Sequence, residues 1–218
     1  MTISADAIKA SMRASMAGAT RSDKPYKTWV LKDVLPADAA DVVMNLPFPA
    51  PKLGGVSGKR ELHNGTRKYF DAENAAQYPV IAAFNEAFTD PQLVKEMEAY
   101  FGIDLKGSFL RAEYAQDTDD FWLEPHTDLG VKLFTMLLYI SKDAAHRDLG
   151  TDIYDAEKKH VGRSPFVFNT AFIFIPGTDT YHGFEPRRIE GVRKSVIINY
   201  VTSEWRAREQ LANPQQPL

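Results

Sequence analysis

The chain has 218 residues, 44% of them apolar and 25% charged, enough for one domain of ordinary to large size with a sizeable core. The formal net charge is −3 and no basic run is long, which argues against nucleic acid as a partner. There is no cysteine. Disulfides, thiolate catalysis, iron–sulfur clusters and cysteine zinc sites are therefore excluded, and any metal chemistry must use His, Asp and Glu.

The first half of the sequence is mixed. Residues 3–17 read as an amphipathic helix, with Ile8, Met12 and Met16 at i, i+4 spacing. The same stretch, rich in Ala, Ser and Met with Lys9 and Arg13, also fits a mitochondrial presequence, but a cytoplasmic protein is the default reading. The longest apolar stretch, 134–140, is too short to span a bilayer, so no membrane partner is expected. Residues 26–31 read as a strand, and Pro36 opens a short helix. Residues 46–60 read as a loop. Residues 79–88 and 91–101 read as two helices that begin on prolines, where a missing N–H costs nothing.

The second half changes period. Residues 108–116, 133–140, 152–154, 166–169, 171–175 and 195–201 are short strand candidates separated by turn-rich segments. That pattern predicts a mainly β, jelly-roll core with helices packed outside it.

Two histidines begin a His-x-Asp triplet, His126-Thr127-Asp128 and His146-Arg147-Asp148. About 0.7 such triplets arise by chance at this composition, so the context decides. Residues i and i+2 of an extended segment point the same way, so His126 and Asp128 can aim at one ion just ahead of an apolar strand. His146 lies in a polar turn and reads as solvated surface. His182, after the strand at 171–175, supplies a second imidazole. Two histidines and one carboxylate make the facial triad of non-haem iron oxygenases, although spacing alone equally allows three unrelated polar residues. Further on, Gly191-Val192-Arg193-Lys194-Ser195 leads into a strand on which Arg193, Ser195, Ile197 and Asn199 share one face. A guanidinium there can clamp a carboxylate. Arg187 and Arg188 lie in a Pro-containing turn and read as surface.

This ordered set resembles the 2-oxoglutarate- and Fe(II)-dependent oxygenases, nearest in pattern to their prolyl-4-hydroxylase-like branch. That family carries a His-x-Asp, a distal His and a Gly-x-Arg or Gly-x-Lys about ten residues later. Tyr114 resembles its strand tyrosine that bonds the co-substrate, and residues 169–174 resemble the apolar strand ahead of its distal His. The resemblance covers roughly 107–203. It implies a double-stranded β-helix (cupin-like jelly roll) in a single domain, 1–218. Residues 1–106 form a helical and mixed buttress with loops, 107–203 the catalytic core, and 204–218 a tail that frays beyond Ala212.

The resemblance further implies an iron-dependent dioxygenase. His126, Asp128 and His182 are the expected catalytic metal ligands for Fe(II), and O2 is the oxidant. 2-Oxoglutarate is the expected co-substrate, anchored by Arg193 with help from Ser195 and Tyr114. It leaves as succinate and CO2. A full-length Asp128 in the triad argues against halogenation and for hydroxylation, desaturation or demethylation. The expected substrate is a small polar or amino-acid-like molecule. A protein side chain, an alkylated base, or a non-catalytic sensor binding metal or 2-oxoglutarate are the alternatives. Arg111, Trp122 and Thr135 flank the expected metal mouth as substrate-binding candidates, though an isolated Trp122 reads first as core. Arg111 and Glu113 share a strand face opposite Tyr114, so only one of those sets points inward. The basic stretch 59–68 reads first as a solvated hairpin, and second as a loop over the site. The oligomeric state is not legible.

Overall fold

Alternating burial organises the strands. In Arg193–Val201 (β11), Val196, Ile198 and Tyr200 are fully buried on one face, while Arg193, Ser195 and Asn199 are buried on the other. The computed structural model describes residues 3–51, 58, 67–119, 121–128 and 130–218. Among these, β11 is flanked by Phe109–Asp117 (β4) and Lys132–Tyr139 (β6), both antiparallel. Thr170–Phe174 (β9) pairs with β6, Thr28–Lys32 (β2) pairs with β9, and Thr20–Ser22 (β1) and Lys68–Tyr69 (β3) close the two edges. This makes a seven-stranded sheet in the order β1-β2-β9-β6-β11-β4-β3.

A second sheet of four strands has the order β5-β10-β7-β8. Its members are Leu123–His126 (β5), Asp152–Tyr154 (β7), His160–Arg163 (β8) and His182–Phe184 (β10). The fold is mainly β, as expected. The first hundred residues do more than buttress it, because β1, β2 and β3 belong to the larger sheet.

The larger sheet has two different faces. Leu110, Ala112, Tyr114, Met136, Leu138, Ile173, Val196, Ile198 and Tyr200 join Ile8, Met12, Phe84, Phe88 and Met97 of the helices in the main core. The helices are Ala5–Ala17 (α1), Ala37–Met44 (α2), Ala72–Gln77 (α3), Pro79–Phe88 (α4) and Pro91–Phe101 (α5). Helix α5 is fixed at both ends. Asp90 accepts the N–H groups of Gln92 and Leu93, a cap worth about 1 kcal/mol, and Gly102 takes the left-handed φ of 71° that stops the helix. The other face looks at the small sheet across a second apolar cluster containing Phe121, Leu137, Tyr139, Phe172, Phe174 and Phe184.

Two local expectations fail. Residues 166–169 are not a strand: Asn169 adopts φ 59° in a turn and bonds Leu35 through both side-chain atoms, at 3.0 and 2.7 Å. The tail is pinned rather than frayed. Leu218 donates to the Ser108 carbonyl at 2.9 Å and accepts from Gly107 at 2.8 Å, extending the edge where β4 begins. No helix among the described residues is long and apolar enough to cross a membrane.

Candidate metal and anion site

Backbone register brings the two histidines together. β5 and β10 are antiparallel neighbours in which His126 and His182 are direct partners, and their ring centroids lie 4.4 Å apart. Asp128 enters from the segment after β5. One ligand atom from each of His126, Asp128 and His182 lies within 4.8 Å of the others.

Both rings are held the same way. The Nδ1 of His126 lies 2.8 Å from the Glu124 carbonyl, and that of His182 lies 3.0 Å from the Thr180 carbonyl. Only a protonated nitrogen can donate to a carbonyl, so each neutral ring turns an unprotonated Nε2 to the centre, as metal ligation requires. Burial pushes the His182 pKa down to about 3, helped by His126 and opposed by Asp128, so this ring is neutral across the physiological range. The Asp128 carboxylate is gripped from outside: Thr135 Oγ1 donates to Oδ2 at 2.5 Å and Lys132 Nζ to Oδ1 at 2.6 Å. Asn199 in turn donates to Thr135 Oγ1 at 2.9 Å.

A second cluster, Asp152, His160 and Glu185, also has metal-like spacing. Its central carboxylate is already saturated, with Arg163 Nε and Arg187 Nη1 each at 2.6 Å. It is an ion-pair hub, whereas the first cluster lines a cavity.

That cavity, about 80 Å³, runs from the triad to Arg193 between the two sheets. A buried ladder of alternating charge starts at Arg111, outside the cavity, and continues along the cavity wall through Glu113, Arg67, Asp117 and Arg193. Arg111 donates to Glu113 at 2.6 Å, Arg67 lies 3.3 Å from the other Glu113 oxygen and 2.6 Å from Asp117, and Arg193 donates to Asp117 at 2.5 Å. Among the described residues, three guanidiniums face two carboxylates in this ladder. At one end Arg111 is capped by neutral partners, Gln210 and Asn199, and lies against the Tyr69 and Trp205 rings. At the other end Arg193 gives Nε to the Leu149 carbonyl at 2.7 Å, and its Nη2 has no hydrogen-bond partner among the described residues. Two residues on, the Ser195 hydroxyl is buried in the same wall without a partner among the described residues. A buried guanidinium beside an unsatisfied hydroxyl is the kind of pair that an anion would satisfy.

The expected site residues divide accordingly. His126, Asp128, His182, Arg193, Ser195 and Thr135 all line the cavity. Tyr114 does not: it faces the helices and its hydroxyl donates to the Met44 carbonyl at 3.1 Å. β4 turns Arg111, Glu113 and Asp117 inward instead. Arg111 is nevertheless consumed by the ladder and lines no cavity wall, so it holds the scaffold. Trp122 is half-buried outside the cavity. Its ring lies so close to Gly58 that a Cβ there would come within 2.2 Å, while the Gly58 carbonyl accepts the Glu124 N–H at 2.9 Å.

Three surface expectations need correction. His146 is buried and bonds the Glu190 carbonyl at 2.7 Å. Arg187 folds over the Phe184 ring onto Asp152, whereas Arg188 is exposed as expected. In the stretch 59–68, residues 59–66 lie outside the described residues, but Arg67 is buried in the cavity wall. Arg67, Glu113, Asp117 and Lys132 also line the cavity; sequence reasoning weighed Arg67 only within its basic stretch and Glu113 only by its strand face, and did not name Asp117 or Lys132. The available signal was the period-2 row Arg111, Glu113, Asp117 on a strand whose other face is apolar.

The fold is shared with solved oxygenases. A prolyl hydroxylase from Trichoplax adhaerens, in complex with a hypoxia inducible factor oxygen degradation domain peptide fragment, matches with a TM-score of 0.60 at 15% identity. The match spans 93% of this chain and 91% of that one. A prolyl 4-hydroxylase from Phytophthora capsici matches at 0.62 and 13% identity, over 95% and 68% of the two chains. HygX from Streptomyces hygroscopicus, with nickel and 2-oxoglutarate bound, matches at 0.50 and 14% identity, over 81% and 82%. No protein-family model and no curated protein matches the chain. The architecture is that of the prolyl-4-hydroxylase-like double-stranded β-helix.

Proposed function

We propose that this chain is a 2-oxoglutarate- and Fe(II)-dependent dioxygenase that hydroxylates a small polar or amino-acid-like substrate. One observation carries the reading: a His-Asp-His triad with ligand-ready imidazoles opens into the same small cavity as Arg193, whose Nη2 has no partner among the described residues, and the unsatisfied Ser195 hydroxyl. The donor set suits iron(II), which accepts two imidazoles and a carboxylate on one face and keeps the other face open. The Arg193 guanidinium and the Ser195 hydroxyl suit the distal carboxylate of a 2-oxo diacid. When bound, the pair supplies an oxidant that takes one oxygen atom of O2 into the substrate and the other into succinate, with loss of CO2.

The protein residues then have separate tasks. His126, Asp128 and His182 hold the ion. Thr135 and Lys132 set the plane of the Asp128 carboxylate. Arg193 and Ser195 fix the far end of the co-substrate, and Asp117 holds Arg193 in place. Phe121, Leu123 and Phe184 keep water from the cavity. A protein prolyl residue is the second reading, favoured by the names of the structural neighbours.

The test is anaerobic addition of Fe(II) and 2-oxoglutarate to metal-free protein. The expected result is a visible charge-transfer band that is lost in His182→Ala. Folded protein without the band would overturn the reading.

A further inference from the structure

Two of the contacts that hold Arg193 are shared with a second arginine. Arg193 Nε donates to the Leu149 carbonyl at 2.7 Å, and its guanidinium carbon lies 4.8 Å from the centre of the Phe184 ring. Arg187 Nη2 donates to the next carbonyl, that of Gly150, at 2.7 Å, and its guanidinium carbon lies 3.7 Å from the same Phe184 ring. Phe184 and Arg193 line the cavity, and Arg187 does not. Arg187 is fixed in turn by Asp152 Oδ2 at 2.6 Å, and Asp152 also takes Arg163 Nε and the Glu185 N–H, each at 2.6 Å.

The shared segment needs an outside hold. The Leu149 and Gly150 carbonyls belong to successive peptide planes joined at the Gly150 α-carbon, and glycine is the least restrained joint a chain can have. No side chain can stiffen it, because a Cβ on Gly150 would come within 1.8 Å of the Ser164 carbonyl oxygen. One residue further on, the chain is tied to Ser164: the Thr151 N–H donates to Ser164 Oγ and the Thr151 carbonyl accepts the Ser164 N–H, both at 2.9 Å. Between that tie and Arg193, Arg187 supplies the hold on the Gly150 carbonyl. The same guanidinium presses on the ring beside which Arg193 rests.

We propose that Arg187 is a positioning residue for the co-substrate anchor. Through the Gly150 carbonyl and the Phe184 ring it fixes the two supports of Arg193, and so holds that guanidinium in one pose for a distal carboxylate. This rests on the dioxygenase reading and adds a residue to it, one that acts through Arg193 and touches neither metal nor co-substrate. Without Arg187, Arg193 keeps its charge, but an incoming carboxylate must also order the guanidinium, and binding weakens.

The experiment uses the full chain loaded with redox-silent Mn(II). Calorimetry gives the affinity for 2-oxoglutarate and for 2-oxopentanoate, which has the same chain length but no distal carboxylate. In Arg187→Gln, 2-oxoglutarate affinity should fall about tenfold, the scale of one hydrogen bond from a charged donor, while Mn(II) and 2-oxopentanoate affinities stay within about twofold of wild type. Arg187→Lys keeps a cation for Asp152 but lacks the planar fork that reaches both partners, so it should keep the fold and still lose most of that affinity. Added to Arg193→Gln, either change should cost nothing more, because the anchor it serves is gone. Should Arg187→Gln fail to fold, Arg187→Lys carries every comparison. Three results would overturn the proposal: 2-oxoglutarate affinity within about threefold of wild type in Arg187→Lys, an equal loss for 2-oxopentanoate, or a full further loss in the double variant. Failure of the wild-type chain to bind Mn(II) or 2-oxoglutarate is a different result, and would overturn the dioxygenase reading itself.

Discussion

Arg193 and Asp117 are partners twice over: they face each other in the β4–β11 register, and their side chains meet at 2.5 Å inside the barrel. The second Asp117 oxygen takes Arg67 at 2.6 Å. One carboxylate thus holds two guanidiniums, and both are almost wholly shielded from water. Removing it leaves two buried cations facing one another. Asp117→Ala should cost about 3–5 kcal/mol of unfolding free energy, the usual penalty for breaking a buried pair from one side. Urea titration measures it. A loss below about 1 kcal/mol would mean the pair is solvated and only an exposed-type contact.

The free edge of Arg193 leads to a separate expectation. Arg193→Ala removes the charge-assisted end of the proposed co-substrate site, worth about 2–4 kcal/mol, so 2-oxoglutarate affinity should fall about thirtyfold to a thousandfold. Mn(II) affinity should change far less, because Arg193 touches no triad residue. Calorimetry with each ligand separates the two effects. Unchanged 2-oxoglutarate affinity would remove Arg193 from the site.

The two His-x-Asp triplets allow a direct comparison. His126→Ala, Asp128→Ala and His182→Ala should each abolish tight Mn(II) binding while circular dichroism stays native. His146→Ala should leave Mn(II) binding intact. Because His146 is buried on the Glu190 carbonyl, that variant should instead lose about 1–2 kcal/mol of stability. Loss of metal binding in His146→Ala, with retention in His126→Ala, would reverse the assignment.

The sequence carried the triad because its spacing reflects strand geometry: the i, i+2 step puts His126 and Asp128 on one side, and His182 follows an apolar strand. That Arg193 and Ser195 share the face lining the cavity was legible for the same reason. Helix starts at Pro79 and Pro91 were legible because proline at N1 acts locally. What stayed hidden depends on which face of a strand turns inward. Tyr114 and Glu113 are neighbours, and only the contacts of Tyr114 with Met44, Phe48 and Phe70 show that it belongs to the helix side. Arg67 reaches the cavity because a two-residue strand, β3, pairs with β4, a contact of long sequence separation that no local pattern encodes. His146 and the C-terminal tail read as polar and peripheral, and their burial also comes from distant backbone carbonyls and edges.

Thr135 gives a graded test of the metal site. Its hydroxyl sits between Asn199 and Asp128, so it orients the ligand carboxylate without meeting the ion. Thr135→Val keeps the shape and removes both bonds. Mn(II) affinity should fall roughly 10–100-fold, the range for losing such an outer partner, and Thr135→Ser should restore most of it. Equal affinity in Val and Ser variants would show that Thr135 only fills space.

Asp152 sets an acid limit on the fold that is independent of the metal site. Burial works against its ionisation, but Arg187, the Glu185 N–H and Arg163 outweigh burial and hold its pKa below the usual carboxylate value of 3.8. The sign follows from proton counts. Between the folded and unfolded values the unfolded chain binds more protons, so the stabilisation is complete above the unfolded value and is lost as pH falls towards the folded one. The difference in unfolding free energy between wild type and Asp152→Asn should be constant from roughly pH 5 to pH 7 and shrink below about pH 4. Urea titrations across that range measure it. A difference that stays flat to about pH 3 would mean that the carboxylate is not held low, and that Arg163 and Arg187 contribute shape rather than charge at this position.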